Sequence, residues 1–251
     1  MKSIRLKGHF LLGLVLLLSS CASHYQVLKT NRINYSVGQK VAGDSTIIKT
    51  YQPYKLQLDA EMSKVIGYTA VDLTSRSTVP ESVLGNFFAD AVSVQAKKIT
   101  PNIDFVFPTT KGGLRNDIAK GNITVSNIFE LMPFENQLVL FELNGSDTYK
   151  VIKFIAATNG QPIAGLTMNI KDKLPENIMI NGKPFDANRT YTVLTSDYIA
   201  NGGDDADGFA SPVSRKNIGL MVRDALLREV EDLKASGKNI STKLDGRITK
   251  N

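Results

Sequence analysis

A single cysteine, Cys21, among 251 residues leaves no partner for an internal disulfide, so the fold must be held by its core. At 42% apolar residues, a chain of this length can bury enough surface in one domain to do so. The apolar residues follow both regular periods. Val83, Leu84, Phe87, Phe88, Ala91, Val92 and Val94 make one broad helical face after Pro80-Glu81-Ser82. A helix from Asp44-Ser45-Thr46 onward is read from Ile47, Ile48, Tyr51, Tyr54, Leu56, Leu58 and Met62, with Pro53 as an interruption. Ser146 or Asp147 can cap another, carrying Tyr149, Val151, Ile152, Phe154 and Ile155, and a last helix is expected over about Asn217 to Lys234. Strands are expected near residues 65–70, 103–107, 137–143, 166–170, 178–180 and 191–195. Gly121-Asn122-Ile123-Thr124 reads as a turn, and Ser126 as the cap of a brief helix through Leu131. No repeat period appears, and helices and strands do not alternate strictly. The expected class is α+β, a single domain of mixed β-sheet with packed helices.

The N-terminus reads as an address. Lys2, Arg5 and Lys7 precede an apolar stretch from Phe10 to Leu18 that is short for a bilayer span. It ends in Leu18-Ser19-Ser20-Cys21, which resembles the bacterial lipobox and implies acylation of Cys21 after cleavage. Ala22 follows, without the aspartate typical of inner-membrane retention, so an outer-membrane lipid anchor is expected. The resulting division is a signal peptide over 1–20, a tether over 21–43 and a domain over 44–251. Removing the signal takes away three cations and no acids, lowering the net charge from +6 to +3. The basic character thus owes much to targeting, and nucleic acid is not an expected partner.

Three clusters stand out from the apolar framework. Gly112-Gly113-Leu114-Arg115 follows a strand and presents a guanidinium, which can grip phosphate bidentately. Pro133-Phe134-Glu135-Asn136 sits between a short helix and a strand, where a ring can stand at a rim. Tyr198 precedes Asn201-Gly202-Gly203-Asp204, whose glycines allow a tight turn and a close approach. A ring and an acid on one loop suit a nucleoside, its base stacked and its ribose hydroxyls donating to the carboxylate. Taken alone, a Gly- and Asp-rich surface turn is the ordinary reading of that loop. A calcium loop fits poorly: counting back from Gly208, its first ligand position is Gly203, and Ser214 stands where the closing Glu belongs.

Together these stretches resemble the C-terminal domain of the 5′-nucleotidase and UDP-sugar hydrolase family, over roughly residues 44 to 249. The matching pieces are Glu81-Ser82-Val83-Leu84-Gly85-Asn86 with Ala89-Asp90-Ala91, the Gly112 to Arg115 turn, Gly121 to Thr124, Pro133 to Asn136, Tyr198 to Asp204, and Leu244-Asp245-Gly246-Arg247-Ile248. In that family this domain holds the substrate while a separate metallophosphatase domain does the chemistry. The resemblance implies that Phe134 and Tyr198 sandwich a base, that Asp204 meets the ribose hydroxyls and Arg115 the phosphate, and that Asn136 lines the pocket. It also marks departures. Thr78 replaces an arginine, the usual Asn-Gly-Gly-Gly becomes Thr110-Lys111-Gly112-Gly113, and the loop after Asp204 is longer by about three residues. Lys111 is a candidate to take over part of the lost arginine's role.

The family's two metal ions are held mostly by His and Asp. Here the only histidines are His9, in the signal, and His24, in the tether. No catalytic residue or cofactor is therefore expected in this chain, and divalent metals are expected in a separate metallophosphatase subunit. The expected function is the membrane-anchored nucleotide-recognition half of a split 5′-nucleotidase. The alternative is a non-enzymatic surface protein that captures nucleosides or nucleotide sugars.

Overall fold

The computed structural model describes residues 29–36, 38 and 41–250. The signal segment, Cys21 and both histidines lie outside the described residues, as do the expectations attached to them. Residues 1–50 and 51–251 form two units. In the first, residues 29–36 carry no regular structure and are exposed.

Helix α1 spans Ser45–Met62, opened by the Asp44 carboxylate, which accepts the amides of Thr46 and Ile47 at 2.8 and 3.2 Å. The helix runs through Pro53 rather than breaking there, and none of its residues is buried. Its apolar spacing thus does not mark a core face: Tyr54, Leu56 and Leu58 are all exposed.

Four strands make the central sheet, in the order β2 (Phe105–Phe107), β8 (Tyr191–Ser196), β4 (Gln137–Leu143), β9 (Ser214–Met221). β2 and β8 are parallel, and the other two pairings are antiparallel. Strand alternation sends neighbouring residues to opposite cores. Val106, Leu138, Leu194 and Leu220 face one, with helix α2 (Val83–Lys97), helix α3 (Val125–Leu131) and helix α6 (Val222–Ala235). Phe105, Phe107, Val139, Phe141 and Val193 face the other, which is closed by helix α4 (Gly145–Ala157) and a second sheet. That sheet has the order β10 (Ile248–Lys250), β5 (Leu166–Lys171), β6 (Leu174–Ile180), β7 (Lys183–Pro184). A two-stranded ribbon, β1 (Val65–Thr69) with β3 (Gly121–Thr124), lies against α6. A Cβ on Gly67 would strike Val230 of α6, so only glycine lets the ribbon sit this close.

Several local expectations are corrected. Gly121 to Thr124 is strand β3, not a turn, because it pairs with β1. α3 is capped by Thr124, not Ser126, in a box with Asn127. α4 is capped by Asn144, whose side chain accepts the Asp147 amide at 2.8 Å, rather than by Ser146 or Asp147. The long helix expected from Asn217 divides into strand β9 and helix α6, because residues 214–221 pair with β4. The helical spacing of Leu220, Met221 and Ala225 bridged two elements.

Two distant sequence stretches prove to be one lock. Arg247, largely buried, pairs bidentately with Asp90 of α2 at 2.8 and 2.9 Å and with Asp245 at 2.7 and 2.9 Å, and donates to the Ile163 carbonyl. Buried Glu81 accepts the Gly246 amide at 2.7 Å and the Asn86 side chain at 2.7 Å. These charge-assisted bonds tie residues 245–247 to the start of α2.

Candidate functional site

Parallel pairing puts the carboxyl ends of β2 and β8 side by side, and antiparallel β4 begins at that same end. Three loops therefore open on one end of the sheet, the usual place for a ligand crevice in parallel pairs. The first leaves β2 through Pro108, makes one tight turn over Lys111–Gly113, and reaches Arg115, whose amide donates to the Leu131 carbonyl at 3.0 Å. The second descends from α3 through Met132 and Phe134 to Asn136. The third leaves β8 through helix α5 (Asp197–Ala200) and turns at Gly202, with φ of 89°, to Asp204.

They enclose a cleft of about 290 Å³ lined by Arg115, Phe134, Asn136, Tyr198 and Asp204, with Met132 and Ser196 at its floor and the Thr109 and Gly112–Gly113 turn along one wall. Neither ring is a core plug: Phe134 is 36% and Tyr198 48% exposed. The Arg115 guanidinium lies over the Phe134 ring, 5.1 Å from its centroid. Behind that ring, Arg223 donates to the Phe134 carbonyl at 3.3 Å and packs over Phe129 at 4.3 Å.

Both oxygens of Asp204 are engaged. The Tyr198 hydroxyl donates to Oδ1 at 2.8 Å, and the buried Thr110 hydroxyl donates to Oδ2. Each oxygen keeps an acceptor position, since a carboxylate offers about four. Donation to Asp204 also holds the Tyr198 phenol above its ordinary pKa, because losing the proton would set two anions together. Asp204 itself has φ of 54°, a left-handed conformation that aspartate tolerates better than most residues. Tyr198 lies flat against Gly203: a Cβ there would sit 2.5–2.6 Å from three ring atoms.

Lys111 is placed elsewhere. Its ammonium donates to the Asn159 carbonyl at 2.9 Å, its amide donates to Gln161 at 2.7 Å, and half-burial pushes its pKa down. It is not among the residues lining the cleft, because the tight turn directs its side chain to the loop after α4. Conversely, Ser196 and Asp197 belong to the site region and carried no signal of their own in the sequence, and Thr110 joins them through its bond to Asp204. Their roles depend on which strand ends meet. The local cue for Thr110 was its position in the glycine turn.

Among the described residues no group of three or more His, Cys, Asp or Glu side chains is placed to hold a metal ion. The cleft offers one carboxylate, already bonded to two hydroxyls. These residues do not fit a dinuclear centre, and no hydrolytic step is assigned to them.

The family model described as 5′-nucleotidase, C-terminal domain, matches residues 65–211. The chain is 28% identical over 211 residues to protein UshA of Yersinia enterocolitica, covering 80% of this chain and 37% of that protein. It is 26% identical over 219 residues to the apyrase of Aedes aegypti, covering 79% and 38%. Among solved structures it resembles the 5′-nucleotidase precursor of Thermus thermophilus, with TM-score 0.66 and 24% identity over 83% of this chain and 44% of that one. The Haemophilus influenzae NAD nucleotidase gives TM-score 0.62 and 19% identity, covering 83% and 41%. The chain thus spans less than half the length of these relatives.

Proposed function

Because the chain belongs to the 5′-nucleotidase C-terminal domain family, we propose that its cleft recognises a nucleotide, by its base between Phe134 and Tyr198, its ribose at Asp204 and its phosphate at Arg115. The observation that carries this reading is the convergence of two half-exposed rings, one carboxylate and one guanidinium on a single cleft. Half-exposed rings at a cleft leave faces on which a base can stack. The acceptor positions left on Asp204, one per oxygen, suit two neighbouring ribose hydroxyls. Arg115 supplies the cation for a phosphate oxygen.

Hydrolysis falls to a metallophosphatase unit made as a separate chain, which supplies the divalent metals. The support is compositional: two histidines, His9 and His24, both far in sequence from the cleft residues. The lipobox-like Leu18-Ser19-Ser20-Cys21 supports a lipid anchor at the cell envelope, with the outer membrane as its site.

Calorimetry of the purified protein with adenosine, AMP and a UDP-sugar tests recognition. Phe134→Ala is expected to weaken binding by about 1–3 kcal/mol, the worth of one stacked base. Wild-type protein that binds none of the three ligands refutes the reading. Capture without a partner is the second reading, favoured by a cleft that gathers two rings, a carboxylate and a guanidinium from this chain. Mixing with a co-encoded metallophosphatase separates the two. A complex with nucleotidase activity supports the split enzyme, and ligand binding with no contact supports capture.

A further inference from the structure

Phe134 and Tyr198 stand on chain segments more than sixty residues apart, and neither ring is buried deeply enough for core packing to fix it. Their separation is therefore set by what joins the two backbones: the β4–β8 pairing, which ends at Leu138 and Ser196, and beyond it one oxygen. Oδ1 of Asp197 accepts the amide of Tyr198 at 2.8 Å, the amide of Gln137 at 3.1 Å and the side-chain amide of Asn136 at 3.3 Å. The first donor belongs to a ring-bearing residue, and the other two lie two and three residues beyond the other ring. Asn136, which lines the cleft, is oriented by the same contact.

We infer that Asp197 is the positioning residue that sets the width of the base slot between Phe134 and Tyr198, and so gates which ligands stack there. The inference rests on the proposed base recognition and adds a residue that touches no ligand. Its requirement is geometric: a single acceptor oxygen at this position, not a negative charge. A slot between two planar rings is sensitive to shifts well under the size of an atom, because both stacking faces must be met together.

Two substitutions separate geometry from charge. Asp197→Asn keeps an acceptor oxygen at the same distance and removes the charge. Asp197→Glu keeps the charge and moves the oxygen by one bond. Adenosine binding to the full-length protein is expected to stay within about threefold of wild type in D197N and to fall by about tenfold or more in D197E. In a cycle with Phe134→Ala, D197E is expected to cost little beyond F134A alone, since a slot with one wall removed has no width to set. A role confined to holding the fold would give additive losses.

D197E binding like wild type, D197N losing as much as D197E, or additivity with F134A overturns the inference. Failure of the wild-type protein to bind adenosine, AMP and a UDP-sugar alike removes base recognition and this inference together. Wild-type binding with an indifferent D197E removes the inference alone.

Discussion

Gly203→Ala tests the Tyr198 wall of the cleft without altering the ring itself. The added methyl would lie 2.5–2.6 Å from Cε1, Cδ1 and Cζ of Tyr198, closer than real Cβ contacts allow. Backbone strain is not the issue, because Gly203 does not hold a left-handed φ. Something must move, and the half-exposed ring is the cheapest part to displace. Swinging out, it leaves one stacking wall of the cleft and withdraws its hydroxyl from Asp204. Loss of one stacked face corresponds to a decrease in adenosine affinity of about 5- to 150-fold. The melting temperature should change by less than about 2 °C, since no buried residue is disturbed. Gly202→Ala is the contrast: its site is open, but its φ of 89° penalises any side chain, so it loses stability without a steric blow to the ring. Calorimetry with adenosine, paired with thermal melts, reads both quantities. Wild-type affinity in G203A, with the mutant folded, would refute the assignment of Tyr198 as a stacking wall.

Thr110→Val removes the buried hydroxyl that donates to Asp204 while keeping the side chain's shape. Titration should show ribonucleoside affinity falling several-fold, with a 2′,3′-dideoxynucleoside unaffected. Gly113→Ala would drive a methyl into buried Thr109, so chemical denaturation should show a loss of about 1–3 kcal/mol together with loss of binding. Arg247→Ala breaks the lock between residues 245–247 and α2. Its carboxylate partners are half-exposed, so the cost in denaturant melts is about 2 kcal/mol, below that of a fully buried pair. The same lock has a pH signature. Hydrogen bonding from Arg247 holds the Asp245 carboxyl below its ordinary value of 3.8. A depressed carboxylate pKa stabilises the fold above that ordinary value, and the contribution is lost as pH falls through the folded-state value. Wild-type melting temperature should therefore drop below about pH 4, and R247A should lack this part of the drop.

Helix α2 and the strands at 105–107, 137–143 and 191–196 were legible because propensity, period and burial agree at those positions. α1 was legible as a helix but not as an exposed one, since Tyr54, Leu56 and Leu58 mimic a core stripe. The boundary at Met221 was hidden because strand pairing with β4, a non-local interaction, overrides the helical spacing of Leu220 and Ala225. At the cleft, Arg115, Phe134, Asn136, Tyr198 and Asp204 could be named from motif order, and the structure gathers them at one end of the sheet. Lys111 could not be placed, since a tight turn's direction decides where its side chain goes. Asp197 carries no motif. Its importance lies in accepting donors from residues sixty positions away.

The parallel pairing of β2 with β8, joining residues 105–107 to 193–195, has a further effect. It means that the three walls of the cleft arrive at different times during synthesis and none is useful alone. A fragment that stops before residue 204 lacks the Asp204 side of the cleft. Any small molecule that fits it will also act as a thermodynamic clasp on the whole domain.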